Sequence, residues 1–365
     1  MRMEYNHMDE LGFSEDRQML CTVQGFLSSA NAMKRMCDRF IRGGARIYDS
    51  LMAFDNIMSF GLGRDDRKSG DAFRTLVPML KAAGVTDSSV YDHFVGDMKL
   101  MPNSDVIRYL SGMMTVQPVS EAYEHHSMAL CEAVGLPADS IRCTEVSFDE
   151  LDISKQDGKR FREFATEIAK MDVPKISSND DAQFLGHKDQ MILETIDGII
   201  EKIGVTDFFY QIDEMTPLGG NEKAVMLMEL GRGTNVDMDC TAYVGCNGTD
   251  YPAMDIVRDN EGLAISFNGD EYAVKGSNVA VMSPNPLAAA VLISEFYAGG
   301  LERVLSLIES WDREKLSKRD NSDRHLMNAM LKAFPSKLPE VVAVNEDNID
   351  AVIKESERFR RKLTV

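Results

Sequence analysis

The groups able to do chemistry concentrate in residues 219–267, GGNEKAVMLMELGRGTNVDMDCTAYVGCNGTDYPAMDIVRDNEGLAISF. Lys223 stands near the start of one helical run, with apolar residues at Ala224, Val225, Leu227, Met228 and Leu230. A short apolar run, 241–244, meets Gly245, and Cys246 and Asp250 follow in the turn CNGTD. Ligands of parallel α/β sheets bind outside the carboxyl ends of the strands, which is where 245–250 falls. The ammonium at such a crevice either binds an anion or is neutralised by the carboxylate. Two thiols add a third chemistry. Cys21, beside Thr22, ends an early β-type run, and Cys246 ends a later one, so neighbouring strand ends would bring them together as a redox or metal-thiolate pair. Against this, buried cysteines mostly serve as small apolar residues. Cys21 and Thr22 must also point to opposite faces of a strand.

Other candidates carry less. His125 and His126 are adjacent on a helical run and cannot chelate together. His93, His187 and His325 are isolated. The run GRGT, 231–234, follows a helix rather than opening one, which reads as a helix stop rather than a phosphate loop. The basic end KESERFRRK, 354–362, reads as a solvated helix terminus favoured by the helix dipole.

The elements that must position these groups alternate. Residues 18–23 form a β-type run ending at Gln24-Gly25. Helical patterns follow over 29–58, broken at Gly43-Gly44, and again at 73–83 and 90–98. A second strand covers 115–119 and ends at Ser120, with a helix over 121–134 and a third strand over 141–146. Residues 155–171 and 181–203 read as helices. Asn221 caps the next helix, with Glu222 in its first turn. Strands follow at 241–244, 263–267 and 278–282. Beyond Pro284 and Pro286 the pattern is helical over 287–298, 301–311, 324–334 and 348–362, with a small strand at 341–344. This alternation predicts a Rossmann-like α/β core with a mainly parallel sheet. The core spans 18–28, 100–149 and 217–284. A first helical insert takes 29–99 and a second 150–216. A loose arm, 1–17, precedes it and a helical extension, 285–365, follows.

Composition narrows the function classes. The chain has 365 residues, 44% apolar and 27% charged, which fits a globular protein with a sizeable core. Its net charge of −19 argues against a nucleic-acid binder, which needs a basic face, and against docking on anionic lipid. Six cysteines without a CxxC pair suit a reducing cytoplasm. The first residues lack an apolar signal core, and the most apolar late stretch, 287–293, is too short to span a bilayer.

Taken in order, a strand ends in Thr22-x-Gln24-Gly25, another in Ser120, a helix bears Lys223, and a later strand ends in Gly245-Cys246 with Asp250 beyond. This order resembles the haloacid-dehalogenase-like hydrolases, and both helical inserts fall where that superfamily places its caps. Closer runs, CTEVSFDEL (143–151), GGNEKA (219–224) and GLAISFNGDEYAVKGSNVAVMSP (262–284), resemble an archaeal family within it. Some methanogen members of that family are labelled energy-converting hydrogenase A subunit R.

The resemblance implies a nucleophilic Asp, a second Asp two residues on, a Ser or Thr for the phosphoryl group, a Lys, and an acidic pair holding Mg²⁺. This chain departs at three of those positions. Thr22 stands for the nucleophile, Gln24 for the acid and Cys246 for the first metal-binding Asp. A hydroxyl without an adjacent base is a weak nucleophile, an amide exchanges no proton at neutral pH, and a thiol suits Mg²⁺ poorly. Ser120 and Lys223 remain as anion-binding candidates, and Asp250 remains with Cys246 as the remnant of a metal site.

The expected function is therefore a catalytically degenerate protein acting by binding an anion, such as a small phosphate, or a protein partner, with a methanogen enzyme complex as the implied partner. No cofactor is expected. The alternative is a phosphohydrolase with altered chemistry at Thr22, Lys223 and Asp250, which would need Mg²⁺.

Overall fold

The computed structural model describes residues 17–28, 32–179, 182–319 and 322–363. The expected loose arm lies almost wholly outside the described residues. Its last residue, Arg17, donates to Tyr297 O and sits over the Phe296 ring.

Seven strands form one sheet: β1 (Gln18–Thr22), β2 (Thr115–Tyr123), β3 (Arg142–Thr144), β6 (Thr241–Gly245), β7 (Leu263–Phe267), β8 (Val279–Met282) and β9 (Glu340–Ala343). Their order is β3-β2-β1-β6-β7-β8-β9. Every neighbouring pair is parallel except β8 and β9, which run antiparallel. β1 lies inside the sheet, and pairs Thr22 with Val119 on one side and Cys21 with Val244 on the other. β1, β6 and β7 are buried along their whole length, and their apolar runs suit a sheet covered on both faces. A separate hairpin joins β4 (Ser177–Asn179) to β5 (Ala182–Phe184).

Alternation sorts the two faces. Met19 and Cys21 of β1, with Val23 just beyond it, pack with Val244, Ile265 and the helix Leu287–Glu309. Leu20 packs on the other side with Tyr243 and the helices Asn221–Thr234 and Tyr251–Asp259. Thr22 therefore faces the Lys223 side, opposite Cys21.

The two long helical segments share a single hydrophobic core. Phe54, Phe73 and Leu76 from the first pack in the same cluster as Phe161, Ile196 and Phe208 from the second, with Tyr123 and Phe148 beneath them. The connection to the sheet is tight at two glycines. Gly220 adopts φ 48°, where a side chain is strained, and an added Cβ would lie 2.8 Å from Ser69 O. Gly219 meets the same loop, with an added Cβ 2.9 Å from Ser69 O.

Several local expectations are corrected. The second strand does not end at Ser120. It runs on to Tyr123 through a register shift, and the helix Glu124–Val134 starts three residues later than its composition suggested. The cause is burial: Ala122 and Tyr123 belong to the insert core, and Tyr123 Oη donates to Phe73 O at 2.6 Å. Residues 182–184 are strand, and the following helix, His187–Gly204, begins after Gly186. Gly220, not Asn221, occupies the cap of the Lys223 helix. A short helix, Glu271–Lys275, had no counterpart in the sequence pattern; Asp270 starts it by accepting from Ala273 N.

The C-terminal segment is less separate than an appended extension would be. Leu287–Glu309 covers a sheet face and bends at Gly299-Gly300, the latter at φ 73°. β9 extends the sheet, and the helix Ile349–Leu363 returns to the carboxyl end. Among the described residues no helix is long and apolar enough to cross a membrane.

Candidate functional site

The strand order places the ends of β2, β1 and β6 side by side, and the Lys223 helix opens beside them. Lys223 is fully buried. Its Nζ donates to Asp250 Oδ1 at 2.6 Å, Thr249 Oγ1 at 2.8 Å and Glu121 Oε2 at 3.1 Å. A lysine has three N–H donors, so all are engaged within the protein. Burial opposes its charge, but Asp250 and Glu121 outweigh that and hold its pKa above the ordinary lysine value.

Asp250 is held as firmly. Oδ1 also accepts from Tyr243 Oη at 3.0 Å, and Oδ2 accepts from the N–H groups of Cys246 and Asn247 at 2.8 and 3.2 Å. Glu121 completes the arrangement. Its Oε1 accepts from Asn247 Nδ2 at 3.1 Å, while Asn247 Oδ1 accepts from Thr249 N and Oγ1. The register shift between Ser120 and Tyr123 is what aims Glu121 here, since a bulge re-aims side chains that strict alternation would send elsewhere.

The remaining candidates lie alongside. Gln24 Oε1 accepts from Ser120 Oγ at 3.2 Å, and Ser120 Oγ itself accepts from Ala122 N. Thr22 Oγ1 and Gln24 Nε2 are buried without a hydrogen-bond partner. Two backbone groups at the end of β1 are taken as well: Val23 N–H donates to Val119 O and Gly25 N–H to Ser28 O. Cys246 Sγ donates to Gln24 O at 2.9 Å. Burial, then the Asp250 charge, pushes the thiols of Cys246 and Cys21 upward, the opposite of what a reactive thiolate needs.

At the mouth, the helix Ile349–Leu363 directs Arg360 to donate from Nη1 to Cys246 O. Asp270 lies beside it, its carboxylate accepting from Gly248 N and Ala273 N. The basic end of the chain is thus no solvated terminus at this residue. Among the histidines, His125 Nε2 pairs with Asp87 Oδ1 at 3.0 Å, and burial pushes His126 down to about 4.

These donors do not suit Mg²⁺. The ion needs hard oxygens in octahedral array. Both Asp250 oxygens already accept two hydrogen bonds each, a thiol stands at the neighbouring position, and Gln24 Oε1 is turned to Ser120. No group of three or more His, Cys, Asp or Glu among the described residues is placed to hold a metal.

The structure thus gathers Lys223, Asp250 and Cys246 at one locus, with Ser120 and Gln24 linked beside it. Sequence reasoning missed Glu121, Tyr243, Asn247, Thr249, Asp270 and Arg360. The Asn268-Gly269-Asp270 turn was visible, but nothing local tied Asp270 or Arg360 to this place.

Fold and strand-end placement together are those of an α/β protein with a mainly parallel, Rossmann-like sheet. Among solved structures, a gene product of Archaeoglobus fulgidus, AF1437, is similar over 95% of this chain and 96% of its own, with a TM-score of 0.76 and 19% identity. A phosphoserine phosphatase solved as a phospho-aspartyl intermediate analogue is similar over 74% of this chain and 96% of its own, with a TM-score of 0.44 and 10% identity. A phosphoserine phosphatase in apo form gives 74%, 95%, 0.41 and 9%. No family model matches the sequence, and no curated protein matches it.

Proposed function

We propose that this chain is a haloacid-dehalogenase-like protein that works by binding a protein partner rather than by phosphoryl transfer. Its partner would be an archaeal enzyme complex, of the methanogen hydrogenase type that the sequence resemblance names. The observation that carries the reading is the saturation of Lys223. The cation that should meet phosphate is buried, and its three donors face Asp250, Thr249 and Glu121. A phosphate could reach it only by displacing one of these three partners, and displacing either buried carboxylate leaves an uncompensated charge.

One observation favours turnover instead. Thr22 Oγ1, at the nucleophile position, is buried and unpartnered. It has no base among its hydrogen-bond partners, so a phosphohydrolase would have to recruit one from substrate. The test is an assay of the purified chain with p-nitrophenyl phosphate and Mg²⁺, alongside calorimetry with inorganic phosphate. The expected outcome is no turnover above that of Lys223→Ala, and no phosphate binding dependent on Ser120 or Lys223. Turnover that vanishes in Lys223→Ala or Asp250→Ala would overturn the proposal.

A further inference from the structure

The mouth of the cleft is more acidic than its interior chemistry requires. Asp270 adds its charge there to that of Glu121 and Asp250, buried beneath it, and Lys223 balances only part of the total. The remaining cation arrives from the far end of the chain. Arg360 donates to Cys246 O at the end of β6. Burial opposes its charge, and Asp270 and the other acidic groups of the mouth, Glu121 among them, more than restore it. A guanidinium suits this place because it keeps its charge through burial and can donate to a carbonyl while facing the Asp270 charge.

The helix that carries Arg360 is anchored unevenly. Its first half is packed: Val352 lies against Val274 and Ala280, with Ile349 and Ile353 alongside. In the second half, Ser356 Oγ donates to Gly269 O at 2.7 Å, one turn before Arg360. Beyond these contacts, Phe359, Arg358 and Lys362 border a cavity of about 350 Å³, closed on its other side by Met282, Pro284, Phe334 and Leu338. A helix end beside unfilled space forgoes the dispersion contacts that would fix it.

We propose that the mouth of this cleft is a guanidinium site, filled in cis by Arg360 and able to take an arginine side chain of a partner peptide when the end of the terminal helix lifts. The inference rests on the binding role proposed above, and names the partner chemistry that the site selects. The terminal helix is then a resident ligand, and a partner competes with it by presenting arginine to Cys246 O and Asp270.

Chemical rescue tests this in the full chain. Cys246 is buried beneath Arg360, so its alkylation rate, resolved by peptide mass mapping, reports how often the mouth opens. Arg360→Ala should speed alkylation of Cys246 roughly tenfold, the loss of one charge-assisted hydrogen bond. Cys37, buried in the insert core, should be unaffected. Low-millimolar guanidinium should return Cys246 towards the wild-type rate, and sodium or ammonium should not. Arg360→Lys keeps the charge that folding needs and should still show faster Cys246 alkylation. Calorimetry of Arg360→Ala should show binding of N-acetyl-arginine amide and none of the lysine analogue. Equal protection by ammonium and guanidinium, no protection by either, or parallel acceleration at Cys37 overturns the proposal. Phosphomonoester turnover by the wild type would remove the binding-only reading while leaving guanidinium rescue intact, so the two can fail separately.

Discussion

Replacing Lys223 by methionine keeps most of the side-chain volume and removes one buried charge. Glu121 and Asp250 then stay behind as carboxylates that are 4% and 0% exposed at their side chains. Removing one partner of a buried pair costs about 3–5 kcal/mol, because the other charge stays desolvated. Two carboxylates lose their cation here, so the upper part of that range applies, against a total stability of about 5–15 kcal/mol for a folded domain. The pH dependence separates this account from simple loss of packing. In the wild type, the raised pKa of Lys223 adds stability that is complete below the unfolded lysine value of about 10.4 and fades as pH rises through the folded value. The lysine therefore contributes no slope between about pH 5 and pH 8. In the variant, the unpaired carboxylates are pushed upward, the folded state binds more protons than the unfolded one, and stability rises as pH falls. Urea unfolding should show a deficit of about 4 kcal/mol near pH 8 that shrinks by about 1–3 kcal/mol towards pH 5. Lys223→Met with Asp250→Asn should recover part of it. A deficit below about 1 kcal/mol, or one independent of pH, would refute the buried-charge argument, because that is the size expected of an exposed pair such as Lys159–Glu163.

Glu121→Gln keeps the shape, weakens the bonds to Lys223 and Asn247, and should lower stability by about 1–3 kcal/mol in the same urea titration. Gly220→Ala forces a side chain onto a backbone at φ 48° and against Ser69 O, and should cost about 1–3 kcal/mol by thermal unfolding. Iodoacetamide at mildly alkaline pH should modify the half-buried Cys143 and Cys240 well before Cys21 and Cys246, read by peptide mapping. The lone tryptophan, Trp311, donates to Pro339 O, so its emission should shift when β9 detaches; Trp311→Phe should remove that signal without changing the alkylation rate at Cys246.

Much of the core was legible because its signals are local. The run 263–267 is apolar except at Ser266 and is a buried interior strand. Lys223, Cys246 and Asp250 were placed together correctly because strand ends and helix starts are written in short patterns. What could not be read depends on register between distant segments. Glu121 looked like the first residue of a helix, since a bulge two strands away from β6 leaves no local mark. Arg360 looked like one of several surface cations at a helix end. Only the return of that helix across β8 and the 268–270 turn makes it part of the site. Thr22, Gln24 and Cys246 were visible as residue types, whereas the bonds from Ser120 to Gln24 and from Cys246 to Gln24 O were not.

The shared core of the two inserts has a mechanical consequence. Helices from both segments interlock, so neither can swing as an independent flap. Their joint foundation meets the strand-end loops where Ser69 O crowds Gly219 and Gly220, where an added Cβ on Gly248 would meet Asn56, and where Lys68 pairs with Glu222. Thr249 is one bond from the Lys223 ammonium. A displacement of that roof at this footing would therefore reach the salt-bridged centre through the loop that carries Thr249.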